Sequence, residues 1–180
     1  MGAYPYFYIE IFNSKLNEWE KYDVLTKNDK GEYKPVDLWP WNGSHELFSV
    51  IGLEDSYEFP IFSAVHEGFP VNASDEMYKE YGRFEEESFM GSWMPTVKWF
   101  NLADAMLYLE RYPKVKDFEA MEETWAAAED MEWGDVPVEL MDNPLKHLVD
   151  RVLALLEAAD EFRYWEWKYS DVRIIAWKSW

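Results

Sequence analysis

The stretch YPYFYIEIFNSKLNEWEKYDV, residues 4–24, decides the fold class. From Tyr4 to Phe12 it is aromatic and β-branched, as a strand is, and Asn13-Ser14-Lys15 supplies a turn. Alternation resumes at Glu18 and runs to Thr26, with Trp19, Tyr22 and Val24 as sheet residues. A second turn, Asn28-Asp29-Lys30-Gly31, leads into another extended run from Glu32 to Leu38. The first part of the chain therefore reads as a β-meander. Val172 to Trp180 carries the same strand pattern and is expected to pair back into the sheet.

Helical signals lie between these ends. Asn42-Gly43-Ser44 breaks the meander, and Ser44 caps a short helix carrying Leu47, Phe48 and Ile51, closed by Gly52. In HEGFPVNASDEMYKEYGRF, residues 66–84, Gly68, Pro70 and Asn72 are loop residues. Ser74 caps a helix whose first turn holds Asp75 and Glu76, where the helix dipole favours anions. Met77, Tyr78 and Tyr81 supply its inner face, and Gly82 is a natural stop. Ser92 to Phe100 reads as a strand, with Pro95 placing it at an edge or at a strand start. Asn101 caps the next helix, with Asp104 as capping-box partner, a stripe of Leu102, Ala105, Met106 and Leu109, and Tyr112-Pro113 as its end. A further helix is expected from about Val115 to Asp130, with Phe118, Met121, Trp125 and Ala128 at helical spacing. Asn143-Pro144, a cap with proline at the first helical position, opens the clearest helix. Its apolar face is Leu145, Leu148, Val149, Val152, Leu155, Leu156 and Ala159. The expected architecture is a single α+β domain over residues 1–180. Its antiparallel sheet, made of the N-terminal meander plus the C-terminal strand, is covered on one face by two or three helices.

Composition narrows the function. The absence of cysteine excludes disulfides, thiolate metal sites and cysteine nucleophiles. No run approaches the ~18 apolar residues of a membrane helix. The N-terminus lacks the basic and apolar regions of a signal peptide, and Tyr6 stands where N-myristoylation wants Ser or Thr. A soluble protein is expected. The 11 Trp, 12 Tyr and 11 Phe speak for a folded chain, since acidic disordered chains are poor in aromatics. Such a surplus either fills the core or lines a binding surface.

Charge is distributed unevenly. The chain holds 36 acids and 17 bases, a net charge of −19. Residues 117–142 contain 10 of those acids and no base. Asp117, Glu119, Glu122, Glu123, Glu129, Asp130, Glu132, Asp135, Glu139 and Asp142 make up that run, and Glu85-Glu86-Glu87 forms a second cluster. Self-repulsion of this kind costs stability. It serves either solubility or the capture of a basic protein surface, with carboxylates standing where DNA presents phosphates. Direct binding of nucleic acid by the same surface is disfavoured by phosphate repulsion.

Catalytic signatures are absent. His45, His66 and His147 lie far apart, with no His-Glu-x-x-His or calcium-loop spacing, so neither a metal nor any other cofactor is expected. There is no phosphate loop, and Ser92 in Met-Gly-Ser-Trp-Met lacks the nucleophile elbow. No catalytic residue is assigned. A hydrolase would require His66 to meet two carboxylates in a cleft. Candidate ligand-binding residues are His66, Arg83 near Tyr81, Trp93, and Arg163 before Tyr164 and Trp165. An aromatic ring there would stack a base while a guanidinium forked onto a phosphate. Structural stacking of arginine on aromatic rings is the alternative.

Three blocks carry a resemblance. They are Glu46-Leu47-Phe48-Ser49-Val50-Ile51-Gly52, then Glu67-Gly68-Phe69-Pro70-Val71-Asn72-Ala73-Ser74, then Gly91-Ser92-Trp93 leading into Asn101-Leu102-Ala103-Asp104. Over about residues 44–110 the chain resembles a group of uncharacterised proteins carried by bacteriophages and prophages. That group has a Leu-Phe helix, an Arg-Gly-Leu-Pro-x-Asp-x-Ser loop and a Ser-Trp strand before a Leu-rich helix. Glu67 stands where the group has arginine and Phe69 where it has leucine, so a ligand contact made by that arginine does not carry over. The resemblance implies a small accessory phage protein in the bacterial cytoplasm and transfers no activity. Together with the acidic run it leads to a non-enzymatic protein that binds a host factor with a basic surface through its own acidic, aromatic-rich surface, in counter-defence as an inhibitor or DNA mimic. Sequestration of a nucleotide immune signal is the alternative.

Overall fold

The computed structural model describes residues 4–23, 25–27, 29–35, 45–53, 62–88, 96–113, 142–158 and 167–179. Strand β1 (Tyr4–Asn13) turns tightly into β2 (Glu18–Tyr22). At that turn Asn13 Oδ1 accepts from the backbone amides of Lys15 at 3.0 Å and Leu16 at 3.3 Å, and Asn17 takes a positive φ of 57°. Asparagine tolerates this left-handed geometry better than most residues. The alternation expected to continue through Thr26 breaks after Tyr22. Strand β3 (Leu25–Lys27) pairs instead with β4 (Tyr33–Pro35), and this second hairpin is a sheet of its own.

The main sheet brings distant parts of the sequence together. Strand β7 (Val172–Ser179) lies between β1 and β6 (Val97–Asn101), and β6 pairs with the two-residue β5 (His66–Glu67). The order is β2-β1-β7-β6-β5, and every neighbouring pair is antiparallel. The C-terminal strand therefore forms the middle of the sheet. Strand alternation sends Val172, Ile174 and Ala176 to one face and Arg173, Ile175 and Trp177 to the other. All six are buried, so both faces of the sheet are covered at β7.

On the first face, Phe7, Ile9, Ile11, Phe100 and the first β7 set pack against three helices. These are α1 (His45–Val50), α3 (Leu102–Arg111) and a helix named here α4 (Pro144–Ala158). Each enters the core through the apolar stripe visible in the sequence: Leu47 and Phe48 from α1, Leu102 and Ala105 from α3, Leu148 and Val152 from α4. The α+β class and an antiparallel sheet packed with helices are as expected, but the cover lies on both faces rather than one. Helix α2 (Asp75–Ser88) lies on the opposite face, where Met77 joins Val97, Ile175 and Trp177 in a smaller core. Among the described residues no helix is long and apolar enough to cross a membrane.

Local capping follows the sequence closely. Ser74 Oγ accepts from Met77 N at 3.2 Å, and Asn101 Oδ1 accepts from Ala103 N at 2.9 Å. The Asn101 amide also donates to the Ser170 carbonyl at 2.6 Å, tying α3 to the 3-10 turn Tyr169–Asp171 that precedes β7. Two expectations for α2 are corrected. Tyr78 is 44% exposed rather than inward, and its hydroxyl donates to the carbonyls of Val71 at 2.9 Å and Pro70 at 3.3 Å. The helix also runs through Gly82 to Ser88, because one interior glycine costs only about 1 kcal/mol. A Cβ added at Gly82 would meet no atom within 4 Å. Gly82→Ala is therefore expected to raise the unfolding free energy by about 0.5–1 kcal/mol, seen as a higher urea midpoint at unchanged slope.

Candidate functional site

The one cluster of buried charge among the described residues lies on the second face of the sheet. Glu10 on β1 and Arg173 on β7 are directly opposite in register, and both are almost wholly buried. Arg173 Nε and Nη2 donate to Glu10 Oε2 at 2.7 and 2.5 Å. Arg173 Nη1 donates to Asn72 Oδ1 at 2.8 Å, and Nη2 also reaches the Asn72 carbonyl at 3.2 Å. Glu10 Oε1 accepts from the backbone amide of Ser74 at 2.7 Å, the residue whose hydroxyl caps α2. Such pairing is what permits the two charges to be buried. Burial pulls the Arg173 pKa below its ordinary value, and the Glu10 carboxylate opposes that shift.

Aromatic rings enclose this pair. The Arg173 guanidinium carbon lies 3.9 Å from the ring centre of Trp19 and 5.5 Å from that of Trp99. Beyond Trp99, the His66 ring stacks at 4.0 Å between centroids and 19° between planes, as their direct register requires. A ladder of Trp19, Arg173, Trp99 and His66 thus crosses the sheet from β2 to β5. Farther along the same face, Tyr8 stacks on Trp177 at 4.5 Å, and Phe69 stacks on Tyr81 at 4.6 Å.

Beside His66, Glu67 points to the other face and pairs with Lys98 at 2.5 Å. The hydrogen bond and charge of Lys98 hold the Glu67 carboxyl below its usual range. The Lys98 ammonium also sits next to Gly52, where a Cβ would lie 3.7 Å from Nζ. That places a cation at the C-terminal end of α1, which the helix dipole favours.

Of the residues singled out from sequence, His66 and Arg83 are described. His66 is exposed and stacks on Trp99. Arg83 is exposed and contacts Glu80, one turn earlier in α2, at 3.5 Å. The structure does not bring these two together. Trp93, Arg163 and Trp165 lie outside the described residues, as do Asp117, Glu119, Glu122, Glu123, Glu129, Asp130, Glu132, Asp135 and Glu139. The helix expected at 115–130 lies outside them too. Spacing in the sequence does not pair Glu10 with Arg173, although Glu10 is the lone charge of β1 and Arg173 stands among apolar residues at the start of β7. Opposite charges in two such strands are the signal that points to a buried ion pair.

The arrangement orders and fastens. Trp19 and Trp99 sandwich a guanidinium in the manner of a base-stacking site, but that guanidinium is already forked onto Glu10 and Asn72. Among the described residues no three of His, Asp and Glu converge where they would hold a metal ion. No family model, curated protein or solved structure matches the chain.

Proposed function

We propose that this chain is a non-enzymatic accessory protein of a bacteriophage or prophage. It acts in the bacterial cytoplasm by binding a host protein that carries a basic surface, and interference with a defence system or a DNA-handling enzyme is its use. The observation that carries this function is the run of 10 acids without a base between Asp117 and Asp142. No charge within that run is neutralised by a lysine or arginine of the same run. Among the described residues, Lys21, Arg83, Lys98, Lys146 and Arg173 are each already paired with an acid of the fold. Four of these are engaged away from the run, and Lys146, paired with Asp150, also feels the charge of Asp142 at the end of the run.

The ends of the run support the same function. Asn143 N donates to the Pro113 carbonyl at 3.2 Å, and Asn143 Nδ2 donates to the Tyr112 carbonyl at 3.0 Å. The residues that flank the run, Pro113 and Asn143, are therefore neighbours. A concentrated negative charge raises the rate of encounter with a basic surface and makes it sensitive to salt. Nucleotide sequestration has less support, because Arg173 has its donors engaged and Arg83 is exposed beside Glu80.

The test is affinity capture from bacterial extract with the wild-type chain and with a variant whose acids at 117–142 are changed to Asn and Gln. The expected result is a defined basic protein retained by the wild type, lost on the variant, and released as salt rises from 50 to about 500 mM. Equal capture by the two chains, or retention indifferent to salt, removes this function.

A further inference from the structure

Residues 68–88, comprising the loop before α2 and α2 itself, are held to the sheet differently from the other helices. The main core is a continuous cluster to which α1, α3 and α4 each contribute several fully buried apolar side chains. From α2, among the side chains described, only Met77 is buried. Phe69 and Tyr81 are half-buried, and Tyr78 faces solvent. The polar ties, by contrast, converge. Ser74 and Asn72 are bonded to the Glu10–Arg173 pair through three hydrogen bonds. Elsewhere α2 adds a long Lys21–Glu80 contact at 3.8 Å. At the start of the loop, Gly68 N donates to the Val97 carbonyl at 2.9 Å.

We propose that the Glu10–Arg173 pair is a latch that holds residues 68–88 closed over the second face of the sheet, and that this cover opens as one unit when the latch is broken. Opening leaves the main core in place, because the two cores lie on opposite faces and share no buried side chain. It bares an apolar strip of Tyr8, Trp99, Ile175 and Trp177. Among the described residues the apolar contacts broken are those of Met77 and of the half-buried Phe69, Ala73 and Tyr81, fewer than the main core holds, so the open state lies below global unfolding, as sub-global opening units do. Among the described residues, Lys21 on β2, Asn101 on β6, Asn72 and Ser74 on the loop and Tyr78 on α2 are polar groups that face the pair or bond to it.

Native-state hydrogen exchange on the full chain tests the latch. Two variants are compared with wild type. Asn72→Ala removes one bond from an exposed loop residue and keeps the ion pair. Glu10→Leu with Arg173→Met removes both charges together, so that no single charge is left buried. Because the double variant strips Ser74 N and Asn72 of the partners that tie them to the sheet, the α2 amides beyond Met77 are expected to exchange about 100-fold faster in it and about 10-fold faster in Asn72→Ala, with α4 amides unchanged. Equal acceleration in α2 and α4 would mean that the whole fold loosens, which overturns the latch. Unchanged α2 exchange overturns it as well. If the double variant does not fold, the ratio of α2 to α4 exchange in Asn72→Ala decides alone.

Discussion

Phe100→Ala is expected to lower the unfolding free energy by about 3–5 kcal/mol. Phe100 is fully buried on β6, pairs with Ile174 in register, and meets Phe62 edge-on at 5.4 Å. Phe62 in turn packs on Tyr108 of α3 at 4.9 Å. The ring therefore lies where sheet, loop and helix converge, and its removal leaves a void that none of them closes alone. For a chain of this size the loss corresponds to a fall in Tm of about 10 °C or more. Calorimetry checks it. A shift below about 3 °C would show that the site collapses around the missing ring.

Asn143→Ala is expected to cost about 2–3 kcal/mol, more than a helix cap alone, which is worth about 1 kcal/mol. The Asn143 side chain does three things while fully buried. Its Oδ1 caps α4 by accepting from Leu145 N at 3.1 Å, and its amide donates to the Tyr112 carbonyl at 3.0 Å. It also hydrogen-bonds the Tyr108 phenol, whose pKa is pushed up by burial. Alanine leaves the part-buried Tyr112 carbonyl and the Tyr108 hydroxyl without that amide, and the penalty for stripping such groups exceeds the value of the bonds themselves. Urea denaturation gives the number. Asn143→Asp keeps the cap acceptor but loses the amide donor, so it should recover only part of the loss.

Much of the fold was legible because it rests on local chemistry. The strand at Tyr4 to Phe12, the caps at Ser74, Asn101 and Asn143, and the stripe from Leu145 to Leu156 all express side-chain period and capping within a few residues. The expectation failed where competing local signals were close in strength. Gly82 signals a stop, yet the helix tolerates it. Tyr78 falls with Met77 and Tyr81 on the expected inner face, yet its hydroxyl finds the Pro70 and Val71 carbonyls at the surface.

The candidate site was less legible. His66 stood out as unexplained, and its stack on Trp99 follows from a β5–β6 register that links residues 33 positions apart. Glu10 and Arg173 are 163 residues apart and meet only because β1 and β7 are neighbours.

By itself, then, the sequence determined the α+β class, the helix starts and the concentration of negative charge, since each depends on residue type and short-range spacing. Only the tertiary structure decided that the C-terminal strand is central, that α2 lies apart on the opposite face, and that a buried ion pair fastens it there. Strand order and register join residues distant in sequence, and their energies arise from burial and pairing that exist only once the sheet has formed.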